Sequence, residues 1–275
     1  MLHGYLPPHR FLPYLSWPQI AELPQRDRTV ILLPVGAIEQ HGPHLPLAVD
    51  SLLATAVLGK ALERLDAAVP AYALPPLCYG KSNEHSGFPG TISLSATTLL
   101  TQIREIADSL YASGFRKLAL VNGHGGQPQV LEIVARDLRV QYRDLQVFPL
   151  FLWNVPHRIA KLLTADEAAR GIHAGDAETS LLLHLLPEWV RMERAHPDGL
   201  ATQPPSDALL SLEGALPYAW LTRDLSASGT IGDPTSATAA KGEQIFEQLV
   251  TGWVAAIAAL HAHAQGPVPG LGDGD

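Results

Sequence analysis

The chain carries a single cysteine, Cys78, in 275 residues. An internal disulfide framework is therefore excluded, and a reducing compartment suits the composition. Blocks of basic charge are missing as well: 19 Lys and Arg are scattered among 27 Asp and Glu, for a net charge of -8. That balance argues against a nucleic acid polymer or an anionic membrane as the main partner. No uninterrupted apolar run reaches the roughly 20 residues that span a bilayer. The N-terminal stretch MLHGYLPPHRFLPYLSW has no small-residue cleavage pattern, so a secretory signal is not expected and a cytoplasmic protein is. The GxSxG, GxGxxG and GxxxxGK[ST] spacings are all absent, which removes the usual serine-hydrolase and phosphate-loop readings. Cys78 has no base beside it in sequence and reads as a small apolar residue. Internal repeats and splitting linkers are also lacking. One domain over residues 1–264 is expected, with a disordered tail over 265–275.

What is present is organised around TVILLPVGAIEQHGPHLPLAVD, residues 29–50. Val30-Ile31-Leu32-Leu33 is apolar at every position, the pattern of a strand buried on both faces. It leads into Glu39-Gln40-His41 and, after a Pro-rich turn, to Asp50 before a helical pattern. Extended geometry would point Glu39 and His41 to the same side. Carboxylate and imidazole together suit Zn, Mn or Fe. Equally, Glu39 and His41 could sit in a solvated turn while Asp50 caps a helix.

Further strands are expected at Ala68 to Leu74, Thr91 to Leu94, Lys117 to Val121 and Leu145 to Leu152. Helices are expected from Ser95 to Gly114, about Pro128 to Arg143, after His173 to Leu186, and Thr238 to about His263. This alternation predicts an α/β three-layer sandwich, a mainly parallel central sheet with helices on both faces. Three more clusters lie after predicted strands, before a helix or in a polar loop. Asn122-Gly123-His124-Gly125-Gly126 turns sharply and leaves an imidazole free, or is an ordinary glycine-rich turn. His173-x-x-x-x-Glu178 can share a site only if His173 precedes the first helical turn, and its acidic residues could equally complement the helix dipole. Glu84-His85 lies in a loop dense in polar groups, where binding residues concentrate.

VGAIEQHGPHLPLAVD, EHSGFPGTISLS, NGHGGQ, HAGDAETS and GDPTSATAAKGE, in that order, resemble the creatininase (creatinine amidohydrolase) family over roughly Leu33 to Leu260. The resemblance implies a binuclear metal site with two divalent ions, Zn, Mn or Fe. Glu39, Asp50 and His124 would hold one ion, and His41, Asp50 and Glu178 the other, with Asp50 bridging. It implies hydrolysis of a carbon–nitrogen bond in a small amide, formamide or cyclic amide by metal-activated water. His173 and Glu178 would serve catalysis, His173 by protonating the departing nitrogen. Ser82, Glu84, His85, Asn122 and Trp153 would contact substrate. A homo-oligomer, a hexamer foremost, is implied too. One departure is Gly126, where creatininase itself has a metal-binding glutamate two residues after the His of its NGH motif. The NGHGG branch points instead to deformylation of a formylamino-pyrimidine nucleotide or to trimming of a short peptide. A scaffold-only binding protein is the non-enzymatic alternative.

Overall fold

The computed structural model describes residues 1–205 and 208–264. Four strands, β1 (Val30–Val35), β2 (Ala71–Ala73), β3 (Lys117–Asn122) and β4 (Gln146–Phe151), pair in the order β2-β1-β3-β4, all parallel. Val30 stands opposite Ala71 on one side and Lys117 on the other. Every residue of β1 and β3 is buried, as expected where helices cover both faces of a parallel sheet.

The helices are α1 (Trp17–Ala21), α2 (Val49–Arg64), α3 (Ala96–Ala112), α4 (Pro128–Gln141), α5 (Ala165–Arg170), α6 (Asp176–Leu185), α7 (Thr222–Leu225) and α8 (Ala239–Ala262). Side chains of β1 alternate between two cores. Val30 and Leu32 pack with Leu53, Val57, Leu181 and Leu249 from α2, α6 and α8. Ile31, Leu33 and Val35 pack with Leu99, Ile103, Leu131 and Val134 from α3 and α4. The three-layer sandwich follows directly. α8 is long and apolar enough to cross a membrane by length and composition alone. Here its Ile245, Leu249, Trp253 and Ile257 are buried in the core, and Trp253 Nε1 donates to Leu152 O at 2.9 Å.

Caps explain several boundaries. Ser95 Oγ accepts from Thr98 N at 3.1 Å at the start of α3, and Thr238 Oγ1 accepts from Lys241 N at 3.2 Å at the start of α8. Two expectations fail. Thr91 to Leu94 forms no strand: only Ile92 bridges Ile38, because the segment lies beyond the end of the sheet with no ladder to join. Asp50 does not precede its helix but sits in the first turn of α2, where a carboxylate still complements the dipole. Among the described residues of 187–230, the chain forms 3-10 turns at Pro187–Trp189 and Met192–Arg194 and the short helix α7, joined by irregular segments. The tail expected to be disordered lies outside the described residues.

β1 connects outward to β2 on one side, while its other neighbour is β3. The carboxyl ends of β1 and β3 therefore border the crevice where open parallel sheets place their chemistry.

Candidate metal centre

Val35 and Asn122 are paired at the last rung between β1 and β3. Past that rung, the first strand's loop delivers Glu39 and His41 and the second delivers His124. The turn Ile38–Leu47 is held closed by Glu39 N donating to Leu47 O at 2.9 Å. His41 Nδ1 lies 3.1 Å from the carbonyl of Glu39, which commits that nitrogen as the donor and leaves a lone pair on Nε2. Gly123 passes under the start of α2: a Cβ there would stand 3.2 Å from the Asp50 carbonyl carbon and 3.3 Å from Ala54 Cβ. A bare backbone lets the two elements approach. Asn122 fixes the turn, accepting from His124 N at 3.0 Å and donating to His124 O at 2.7 Å. Gln127 locks Asn122 in turn, donating to its Oδ1 at 3.0 Å and to Gly36 O at 3.1 Å.

These elements bring all five sequence-predicted metal residues together. Asp50 turns one oxygen to each imidazole: Oδ1 is 3.3 Å from His41 Nε2, and Oδ2 is 3.3 Å from His124 Nδ1. Glu39 Oε2 lies 3.1 Å from His124 Nδ1, and Glu39 Oε1 lies 4.0 Å from His41 Nε2. Glu178 offers an oxygen within 4.8 Å of ligand atoms of His41 and His173. Its Oε2 accepts from Ala174 N at 2.7 Å, across a turn in which Ala174 adopts the left-handed φ of 54°.

Buried polar atoms without partners are expensive. Yet Glu39 Oε2, His41 Nε2 and Asp50 Oδ2 are buried with no hydrogen-bond partner, although each lies 3.1–4.0 Å from an imidazole nitrogen or carboxylate oxygen of the cluster. Imidazole lone pairs set against carboxylate oxygens repel unless a cation lies between them. Electrostatics repeat the point. Burial pulls His41 down, but Asp50, Glu178 and Glu39 carry it up to about 9. Burial raises Glu178, against His41, to about 7. Asp50 is held far below the carboxylate range despite its burial, by His41 and His124. The cluster therefore demands positive charge, and its mixed oxygen and nitrogen donors suit Zn, Mn or Fe.

A second layer surrounds it. His173 precedes α6, as a shared site with Glu178 requires, and its Nε2 lies 2.7 Å from Gln40 O. Its Nδ1 lies 3.9 Å from Glu39 Oε1. Burial, with His41 and His85 nearby, keeps His173 well below the usual imidazole range. Gln40, a residue given no role from its place in the sequence, joins both rings: its Nε2 is 2.7 Å from His85 Nδ1 and 3.0 Å from His173 Nε2. His85 Nε2 points back at Glu39 Oε1 from 3.4 Å. Thr222 Oγ1 of α7, also unforeseen, lies 2.9 Å from His85 Nδ1. Alternation was the available signal for Gln40, since Glu39 and His41 face the centre and the residue between them must face elsewhere.

The residues expected to touch substrate divide. Glu84, His85 and Trp153 line a cavity of about 980 Å³ that opens over the centre. Ser82 and Asn122 lie behind His124: Ser82 Oγ is 3.3 Å from its Nε2, and neither residue is part of the cavity wall. Phe151, Tyr218 and Trp220 complete the wall, the last two from the stretch that the sequence left unassigned.

Comparison with known proteins finds the creatininase family model, described as creatinine amidohydrolase, matching residues 13–257. A mycofactocin precursor peptide peptidase of Mycobacterium ulcerans (strain Agy99) is 39% identical over 234 residues, 83% of this chain and 84% of that protein. A creatinine amidohydrolase of Pseudomonas putida is 35% identical over 261 residues, 90% of this chain and 95% of that one. Among solved structures, a mutant creatininase of Zn-Zn type superposes with a TM-score of 0.71 at 33% identity, covering 90% of this chain and 96% of that chain.

Proposed function

This chain belongs to the creatininase family, and on that premise we propose that it is a metal-dependent hydrolase of a carbon–nitrogen bond in an amide. The observation that carries the reading is the convergence of buried, partnerless carboxylate and imidazole atoms around Asp50. Glu39, Asp50 and His124 would hold one divalent ion and His41, Asp50 and Glu178 the other, Asp50 serving both. When bound, the ions supply a water with a pKa of about 7 and a Lewis acid for the amide carbonyl.

The chain's own residues do the rest. Asp50 ties the two halves of the centre together through its separate oxygens. His173 has its Nε2–H committed to Gln40 O, so Nδ1 is the atom that takes a proton from the attacking water and passes it to the departing nitrogen. Phe151, Trp153, Tyr218 and Trp220 hold the substrate and limit water around the scissile bond.

A specific observation bears on substrate size. Small-molecule pockets run from about 300 to 1,000 Å³, and this cavity, at about 980 Å³, stands at the upper limit. That favours an amide carried on a larger body, such as the end of a short peptide, over a compact cyclic amide. The relative that acts as a mycofactocin precursor peptide peptidase accords with the same choice. A formylamino-pyrimidine nucleotide is the next candidate by size. A homo-oligomer, with six subunits as the family expectation, belongs to this reading and is checked by light scattering.

The test is a panel of short peptides, formamides and cyclic amides offered to chelator-stripped protein before and after Mn or Zn is restored. Turnover that returns only with metal, and on peptides first, supports the reading. Turnover that persists in stripped Asp50→Ala protein would sink it, and no turnover on any substrate by metal-loaded protein would favour a scaffold-only role.

A further inference from the structure

His124 is gripped from both sides. Nδ1 faces Glu39 Oε2 and Asp50 Oδ2. Nε2, the other ring nitrogen, lies 3.0 Å from Lys81 O, 3.0 Å from Glu84 Oε1 and 3.3 Å from Ser82 Oγ. The carbonyl has hydrogen-bonding geometry; Glu84 Oε1 stands beside it at ion-pair distance, buried and without a hydrogen-bond partner of its own. With a carbonyl and a carboxylate oxygen both at 3.0 Å, closer than the Ser82 hydroxyl, Nε2 is the nitrogen that carries the proton, which frees the Nδ1 lone pair for the centre.

The room for that carboxylate comes from Gly126. A Cβ at 126 would overlap Glu84 Oε1 outright and come within 2.6 Å of His124 Nε2. Lys81 holds the other oxygen: its Nζ donates to Glu84 Oε2 at 2.9 Å and to Gly126 O at 3.2 Å. The short 3-10 turn Asn83–His85 sets Glu84 toward His124 while its neighbour His85 points at Glu39.

We propose that Glu84, seated in the space left by Gly126 and tied down by Lys81, is a positioning residue that holds His124 with Nδ1 aimed at the metal centre. Its oxygen meets His124 at Nε2 and not at the Nδ1 that Glu39 and Asp50 share, although it also comes within 4.8 Å of a Glu39 oxygen; its role is assigned to the ring and not to the ion. The inference rests on the metal-centre reading above and adds Glu84, Gly126 and Lys81 to it as one unit.

The test is metal binding itself. Stripped protein is titrated with Co(II) in chelator-buffered solution, reading bound metal and the visible Co(II) spectrum, with thermal unfolding of the metal-free proteins in parallel. Glu84→Ala is expected to raise the free Co(II) needed to half-fill the His124 side about 10–100-fold and to shift its band. Glu84→Gln, which keeps an acceptor oxygen, should recover part of the affinity. Gly126→Ala should reproduce Glu84→Ala, and the double variant should be no worse than either alone. Affinity within twofold of wild type and an unchanged band in Glu84→Ala would overturn the proposal. So would additive losses in the double variant, or Glu84→Gln and Glu84→Ala differing only in metal-free unfolding temperature. Wild-type protein that takes up no Co(II) would overturn the metal-centre reading along with this one; a metal-binding wild type with an indifferent Glu84→Ala overturns this one alone.

Discussion

Asp50→Asn changes one oxygen for nitrogen and removes the charge that both halves of the centre share. Each carboxylate oxygen lies 3.3 Å from its imidazole nitrogen, and that spacing sets the scale of the charge interaction that is lost. A pair of unit charges 3.3 Å apart is worth roughly 5 kcal/mol at an effective dielectric near 20. The remaining carboxamide oxygen and lower desolvation cost offset part of this; if half survives, about 2.5–3 kcal/mol, metal affinity falls about 100-fold. Because the residue faces both imidazoles, the loss should strike both ions together. The competing effect, a weaker charge in the first turn of α2, is worth only about 0.3–1 kcal/mol and acts on folding rather than on metal. The assay is equilibrium dialysis against chelator-buffered Zn or Mn, followed by elemental analysis. Wild-type protein should hold two equivalents at free metal concentrations where Asp50→Asn holds neither. Half-filling of the variant within threefold of wild type would refute the reasoning.

His173→Asn should lower turnover about 10²–10⁴-fold while two metal equivalents are retained; loss of metal in proportion to activity would instead make His173 a ligand. Gly123→Ala should cost about 1–3 kcal/mol in denaturant unfolding, since α2 must retreat from the added methyl, and should weaken metal binding with it; unchanged stability would contradict the close approach. His44 is buried, its Nε2 2.8 Å from Thr179 Oγ1, and burial, with His41 and His196 nearby, lowers it to about 4. Its folded value lies below the unfolded one of about 6.5, so the neutral ring's contribution is full above pH ~6.5 and is lost as pH falls toward 4. Urea unfolding of metal-free His44→Gln should flatten that part of the stability profile by about 2–3 kcal/mol between pH 7 and 4; a slope equal to wild type would contradict the assignment.

Much of this architecture is legible in the residues because the physics is local. Val30–Val35 and Lys117–Asn122 announce buried parallel strands by being apolar nearly throughout, and Ser95 and Thr238 announce helix starts by their hydroxyls. Glu39, His41 and His124 could be placed because each follows directly on such a strand. Pairings set by tertiary approach were not legible. Nothing near Glu84 signals that its carboxylate fills the space beside Gly126, 42 positions on, or that Thr222 meets His85 across 137 positions. Tyr218 and Trp220 reach the cavity from a stretch with no repeating pattern to read. Ser82 and Asn122 show the converse: polar residues in a suggestive motif turn inward to hold His124. A motif identifies which residues gather, whereas burial and hydrogen bonding decide which of them face the substrate.

The most direct measurement is anomalous diffraction from crystals of the Mn-loaded protein. The account predicts two peaks flanking the Asp50 carboxylate, one toward His124 and Glu39 and the other toward His41 and Glu178. No peak at that carboxylate, or a single one touching neither imidazole, would contradict it.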